Sequence, residues 1–285
     1  MNLLLRMKRI QDLSPSERQI VNYILDNPDG VAGMGIVEIS QKTYTSTSTM
    51  MRLIKKLNFN SFIDFRLQLS ADTKEYLKNA VMHPGQVGIE KSDSLKDIID
   101  KVSSNNARAA IDAKFLNDIA VFRKVVDMMC AAKGIDFYGT GVSNLIAQDA
   151  MIKALRVGIQ ATAHPYYSEM AMIANISQGD RLAFLISYTG QTTDTLRIAK
   201  KLRKAGVPSV SITSVVKNPL VEYCDVNLFV DSFESAFRVG GMNSRISALN
   251  LLDILFTAFI NSNYEAFTDT ISKTFLPETF NSDSK

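Results

Sequence analysis

Ile186-Ser187-Tyr188-Thr189-Gly190-Gln191-Thr192-Thr193-Asp194-Thr195 joins an apolar run, Leu182-Ala183-Phe184-Leu185-Ile186, to an amphipathic run over 196–204. That order reads as buried strand, hydroxyl-rich turn, helix. Such a turn aims backbone N–H groups and Ser/Thr hydroxyls at one point, where the helix dipole also favours an anion. A phosphate is the natural occupant.

Outward from this stretch, apolar strands and helical runs alternate from Gly134 onward. Strands are expected over 135–138, 159–163, 181–186, 207–213 and 226–229. Strands separated by helices imply parallel pairing, with ligands at the carboxyl ends of the strands. Gly139-Thr140-Gly141-Val142-Ser143 is a second strand-to-helix turn, so it shares one rim of the sheet with 187–192. It lacks the third glycine of a dinucleotide fingerprint, and Ala163-His164 stands where an acidic residue would end the second strand. The helix over 244–261 is apolar nearly all round, which suits either the core or a subunit interface.

The other end of the chain has a different pattern. Leu13-Ser14-Pro15-Ser16-Glu17 is a capping box with proline at the first helical position. Ile20, Val21, Ile24 and Leu25 make the apolar face, and Asn27-Pro28 ends the helix. A short helix over 35–42 follows. Ser46 then caps a helix over 47–57, in which Met50, Leu53, Ile54 and Leu57 share one face. Ser48, Arg52 and Lys55 lie opposite, flanked by Thr49 and Lys56. Short helix, tight turn, and a second helix with hydroxyls at its start and cations beyond is the helix-turn-helix pattern, whose second helix enters the major groove. A helical bundle with a merely solvated face fits the same spacing. The absence of acidic residues over 41–60 favours DNA, because a solvated face normally mixes charge signs.

Length and composition accommodate both units. The chain has 285 residues, 46% of them apolar, enough for two cores. Net charge is +3, too mild to argue for nucleic acid by itself. Cys130 and Cys224 are far apart in apolar surroundings and read as packed thiols, and no metal cluster or cofactor motif is evident. Neither a signal-peptide core nor a run near the roughly 20 apolar residues of a membrane span is present, so a cytoplasmic protein with no membrane partner is expected. The expected domains are 1–77, a linker with a helix over 78–106, and 107–285. His83 reads as an exposed loop residue.

The segment over 13–77 resembles the N-terminal domain of the RpiR family of bacterial transcription regulators. The matching residues are Leu13-Ser14-Pro15-Ser16-Glu17-Arg18, Glu38-Ile39-Ser40, Ser46…Thr49, Arg52, Lys55-Lys56-Leu57-Asn58-Phe59 and Phe62…Phe65-Arg66. The resemblance places Ser46, Thr47, Ser48, Thr49, Arg52, Lys55 and Lys56 at the DNA. In place of the family's usual turn glycine this chain has Tyr44.

The segment over 107–261 resembles the SIS (sugar isomerase) domain, which binds phosphosugars. Its Ser187-x-Thr189-Gly190-x-Thr192-x-Asp194-Thr195 is similar to the family's Ser-x-Ser-Gly-x-Thr-x-Asp-Thr, and Gly139-x-Gly141-x-Ser143 and Ser244-Arg245 also fit. The likeness implies an α/β, flavodoxin-like domain with a five-stranded parallel sheet, behind an all-α helix-turn-helix domain. It implies that Ser143, Ser187, Thr189 and Thr192 hold the phosphate; Gly141, Tyr188, Gly190 and Arg245 complete the candidate site, with Glu234 or Glu169 as the candidate acceptor of sugar hydroxyls. Helix capping alone would use the same hydroxyls. The implied function is a transcriptional regulator whose binding to operator DNA is controlled by a phosphosugar, acting as a homodimer or homotetramer. A phosphosugar isomerase with an accessory helical domain is the alternative. It would need a base such as His164 or Glu169, and no compelling acid–base pair is evident.

Overall fold

The Ser14 signal is realised atom by atom. The Ser14 N–H donates to Glu17 Oε2 at 2.8 Å, and the Glu17 N–H donates to Ser14 Oγ at 3.3 Å. A computed structural model describes residues 2–10, 12–80, 90–230, 241–262 and 264–274. Its N-terminal unit holds α1 (Leu3–Arg9), α2 (Pro15–Asp26), α3 (Pro28–Ala32), α4 (Ile36–Lys42), α5 (Thr47–Lys56) and α6 (Phe62–Ala80). Pro28 ends α2 as expected, but it also opens α3, where its fixed φ and missing N–H cost nothing. Ile20, Ile24, Ile39, Met50, Leu53 and Ile54 are buried together, joined by Phe65 and Leu69 of α6.

Helix α1 is too short to show a period in the sequence, yet Leu3, Leu4 and Met7 are fully buried. Asn2 caps it by accepting from the Leu4 N–H at 3.0 Å. Between α4 and α5, Tyr44 takes φ +50 and stays 91% exposed. A left-handed residue is the ordinary way to end a helix, and glycine fills that place most readily. Here tyrosine fills it.

The helix expected within the linker does not end inside it. α7 (Leu95–Leu116) starts at a second capping box, Ser94 with Asp97, and runs unbroken past 106. The expected boundary between linker and second domain therefore falls inside one helix, and His83 lies outside the described residues. α8 (Ile119–Ala131) follows and leads into β1 (Gly134–Tyr138).

From β1 the chain alternates: α9 (Val142–Arg156), β2 (Gln160–Ala163), α10 (Tyr167–Ile176), β3 (Arg181–Ile186), α11 (Thr193–Lys204), β4 (Ser209–Ser214) and β5 (Val226–Val230). α12 (Met242–Ser262) and α13 (Tyr264–Thr274) complete the described chain. All strand pairs are parallel, in the order β2-β1-β3-β4-β5. This is the flavodoxin-like doubly wound order, in which the chain reverses direction across the sheet between β1 and β3. The central strands β1, β3 and β4 are buried nearly throughout because helices cover both faces, and β3 reads as a near-continuous apolar run. Phe137 and Phe184 stack across β1 and β3 with centroids 5.3 Å apart.

The apolar α12 is a core helix: Leu251, Leu252, Leu255, Phe256 and Phe259 are all buried against the sheet. No single helix among the described residues is long and apolar enough to cross a membrane. The cysteines depart in part from expectation. Both are free thiols, but Cys130 is exposed at the end of α8, with its Sγ 3.4 Å from Ser262 Oγ. Only Cys224 is packed, and burial pushes its thiol up to about 12.

Candidate functional site

Two surfaces concentrate the singled-out residues. The first is α5. Ser46 Oγ accepts from the Thr49 N–H at 3.1 Å and lies 2.7 Å from Ser48 Oγ. Ser46, Thr47, Ser48, Arg52 and Lys55 are exposed along one face, and the first turn carries no acidic residue. The structure sets two expected DNA residues apart from them. Thr49 is buried: its Oγ1 sits 2.9 Å from Ser46 Oγ and accepts from Arg52 Nη2 at 3.3 Å. It orients Arg52 rather than offering its own hydroxyl.

Lys56 is the other. Its Nζ donates to Glu17 Oε2 at 2.8 Å and to the Asp12 carbonyl at 2.7 Å, tying α5 to α2. Burial pushes the Glu17 carboxyl up, but the hydrogen bonds from Lys56 and Ser14 outweigh it and hold the group below its usual range. The ion pair is therefore intact at neutral pH, and the Lys56 charge is already answered within the protein.

The second surface is the carboxyl rim of the sheet. Ser187 is buried at the end of β3, and its Oγ lies 3.1 Å from Thr192 Oγ1. Thr192 occupies the N-cap of α11 but makes no side-chain capping bond. The hydroxyls of this turn therefore do not serve α11 as a cap. Gly190 has φ +61 and sits against the Asn218 side chain, so a Cβ there would collide as well as strain the backbone. The Gly190 N–H donates to the Ser187 carbonyl at 3.0 Å, closing the turn. Gly141, at φ +58, likewise starts α9 without a side-chain cap.

Beside these turns opens a cavity of about 260 Å³. Ser143, Tyr188, Ser244 and Arg245 give it a polar lining, and Ile146, Ile186, Ile212, Val230 and Ala248 an apolar one. Of the expected sugar residues, Ser143, Tyr188 and Arg245 line it. Gly141, Ser187, Thr189, Gly190 and Thr192 build the flanking turns without lining it. Glu234 lies outside the described residues. The aliphatic lining went unremarked in the sequence, because those residues also read as ordinary strand and helix core. Val230 was findable in principle, as the last residue of a strand whose carboxyl end must reach the rim.

His164 and Glu169 pair with each other, His164 Nδ1 to Glu169 Oε2 at 3.4 Å, and the His164 carbonyl accepts from Asn144 Nδ2 at 2.7 Å. Neither lines the cavity.

Known proteins bear on both surfaces. The model of the helix-turn-helix domain of the rpiR family matches residues 1–75, and that of the SIS domain matches residues 128–258. An uncharacterized HTH-type transcriptional regulator of Caldanaerobacter subterraneus subsp. tengcongensis is 30% identical over 88% of this chain and 87% of its own length. YbbH, an uncharacterized HTH-type transcriptional regulator of Bacillus subtilis, is 28% identical over 92% of this chain and 91% of its own. Among solved structures, the Vibrio vulnificus NanR protein complexed with ManNAc-6P aligns over 96% of both chains, with a TM-score of 0.59 and 25% identity. A helix-turn-helix face and a sheet-rim cavity in one chain thus coincide with two matching domain models and full-length regulator relatives, and the chain belongs to the rpiR family of helix-turn-helix transcriptional regulators carrying a SIS domain.

Proposed function

We propose that a sugar phosphate fills the rim cavity and that its binding changes the grip of α5 on operator DNA. The cavity carries this reading. It lies at the carboxyl end of a parallel sheet, and the cationic residue Arg245 and the hydroxyl residues Ser143 and Ser244 are among those that line a space of about 260 Å³. Two helices begin beside it without side-chain caps, the arrangement that seats anions elsewhere. ManNAc-6P in the NanR relative is a ligand of the same chemical class. On the DNA side, Arg52 and Lys55 supply charge while Ser46, Thr47 and Ser48 stand at the helix start, where base edges are reached. The protein works in the cytoplasm, where its DNA and its sugar phosphates meet.

This reading has no catalytic step. An isomerase would need a base facing the sugar carbon, and the His164–Glu169 pair stands off the cavity. The test is a thermal-shift panel of hexose 6-phosphates that includes ManNAc-6P, run alongside a steady-state isomerisation assay. A ligand present at about 100 Kd stabilises its protein by about 2.7 kcal/mol. A melting temperature unmoved by every sugar phosphate, or turnover on the ordinary enzyme scale of about 1–1000 s⁻¹, defeats the proposal.

We also propose that the protein is at least a dimer, the form in which helix-turn-helix units usually meet paired half-sites. Leu145, Ile152 and Leu155 of α9 and Met172 and Ile176 of α10 are large apolar side chains left exposed on one chain, which suits a second copy. Sedimentation equilibrium that returns a monomer at micromolar concentration rules this out.

A further inference from the structure

The N-terminal core does not end with the N-terminal helices. Phe115 and Leu116 of α7, Val215 just beyond β4 and Phe229 of β5 belong to the same buried cluster as Leu3, Leu4 and Met7 of α1. Val215 is 5% exposed and Phe229 is 8% exposed. Phe229 has a chain neighbour at the cavity, and Val215 has one bonded to a cavity residue. Val230 lines the cavity. So does Tyr188, whose carbonyl accepts from the Ser214 N–H at 2.9 Å. Successive side chains of a strand point to opposite faces, so β5 presents Phe229 to the N-terminal core and Val230 to the cavity.

A buried asparagine fixes this arrangement. β5 is an edge strand, and its outer backbone groups need a partner. Asn117, the C-cap of α7, supplies it. Asn117 Nδ2 donates to the Phe229 carbonyl at 2.8 Å, and the Phe229 N–H donates to Asn117 Oδ1 at 2.8 Å. The same Nδ2 donates to the Ala113 carbonyl at 2.8 Å. Two residues back along the chain from Asn117, the Phe115 carbonyl accepts from the N–H of Asn2, the cap of α1, at 3.3 Å. An unbroken path therefore runs from Val230 through Phe229, Asn117 and Phe115 to Asn2.

We propose that this seam, pinned by Asn117, couples the sheet rim to the N-terminal unit and so carries the state of the cavity to the DNA-binding helices. The inference deepens the proposed function and rests on it for the identity of the signal. Packed interfaces switch between discrete arrangements rather than deforming smoothly. A ligand that seats against Val230 and Tyr188 can therefore favour one packing of Phe229 and Val215 over another, provided it binds the two with different affinity. Asn117 does not line the cavity and acts on it only through the Phe229 backbone; it is a positioning residue.

Two measurements decide the matter. The first needs no ligand: amide hydrogen exchange of the full chain, wild type against Asn117→Ala. Coupling predicts faster exchange both in the β5 peptide and in the α1 peptide across the seam. Faster exchange confined to β5 overturns the inference. Should Asn117→Ala fail to fold, Phe229→Leu, which keeps the site apolar, gives the same reading.

The second uses a duplex selected by the wild-type protein from a random pool, with ManNAc-6P and other hexose 6-phosphates as probes. The wild type should show a ratio of DNA affinities with and without ligand in the common allosteric range of about 5–150-fold. Phe229→Leu should bring that ratio toward 1 while keeping the ligand's thermal shift. An unchanged ratio overturns the inference. A wild type that none of the probes shifts refutes the effector reading instead, and the exchange comparison still decides the seam.

Discussion

Two helices in this chain begin in runs of hydroxyl residues, and the hydroxyls are committed differently. At α5, Ser46 caps the helix, bonding the Thr49 N–H and lying within hydrogen-bond distance of the Ser48 and Thr49 hydroxyls. At α11, the Thr192 hydroxyl turns away from its own helix and meets Ser187. The first run sits on an exposed, convex helix start with cations one and two turns along. The second is recessed: Ser187 is buried, and the turn flanks a cavity. Both suit phosphate. The difference lies in what brings the anion to them. A convex cationic face meets a polymer that carries its own geometry, whereas a recess selects a small molecule by size.

The largest predicted effect tests the convex side. Arg52→Ala with Lys55→Ala should weaken binding to a selected duplex by about 1–3 kcal/mol for each side chain that touches a base edge. For each one that touches phosphate, the salt dependence should flatten by about one counterion. Anisotropy titrations over a salt series separate the two modes. Affinity and slope both unchanged would remove this face from the DNA. Lys56→Ala is the contrasting control, since its ammonium already serves Glu17 and Asp12. It should lower stability and leave the salt slope unchanged.

The next effect tests the recess. Ser187→Ala with Thr192→Val removes both hydroxyls of the pair. At about 100 Kd the wild-type protein gains about 2.7 kcal/mol from its ligand, and the double variant should lose most of that gain. DNA binding without ligand should stay within twofold. A full thermal shift in the double variant would place the phosphate away from this turn.

These contrasts also show what could be seen in the residues alone. Strand, turn and helix were legible on both sides because the signals are local: the capping box at Ser14, the apolar run into Ser187, the 3.6-residue stripe of Met50, Leu53, Ile54 and Leu57. The sheet order was legible only through family likeness, since periodicity does not say which strands are neighbours. Thr49 and Lys56 could not be placed. Whether a hydroxyl faces DNA or its own helix, or whether an ammonium finds a carboxylate 39 positions away, is settled by packing between helices. Asn117 was invisible for the same reason. Its partner Phe229 lies 112 positions along the chain, and only the pairing of the edge strand brings the two together.

A smaller effect sharpens the comparison directly, because the two turns should answer the same kind of substitution with different readouts. Ser46→Ala deletes a working N-cap and should lower the stability of the N-terminal unit by about 1 kcal/mol. Thr192→Val deletes no cap, so melting without ligand should move by no more than about 0.5 kcal/mol, while ligand affinity falls. Equal losses of stability from the two would mean that Thr192 caps α11 in solution, and the distinction drawn from the geometry would fail.

The smallest effect concerns the residue before the convex turn. Tyr44 holds φ +50 with its side chain 91% exposed, so it has strain to lose and almost no packing. The left-handed region costs an ordinary residue roughly 1–2 kcal/mol. Glycine removes that cost but gives back roughly 0.5–1 kcal/mol through the freedom of the unfolded chain. Tyr44→Gly should therefore raise stability by about 0.5 kcal/mol, read as a shift of the urea midpoint at constant slope. This is the opposite sign from Ser46→Ala, only two positions away. If Tyr44 is a backbone accommodation and nothing more, affinity for the selected duplex stays constant while stability rises. A variant that gains stability yet binds DNA more weakly would make the ring part of the reading surface, and the convex face would then begin two residues before Ser46.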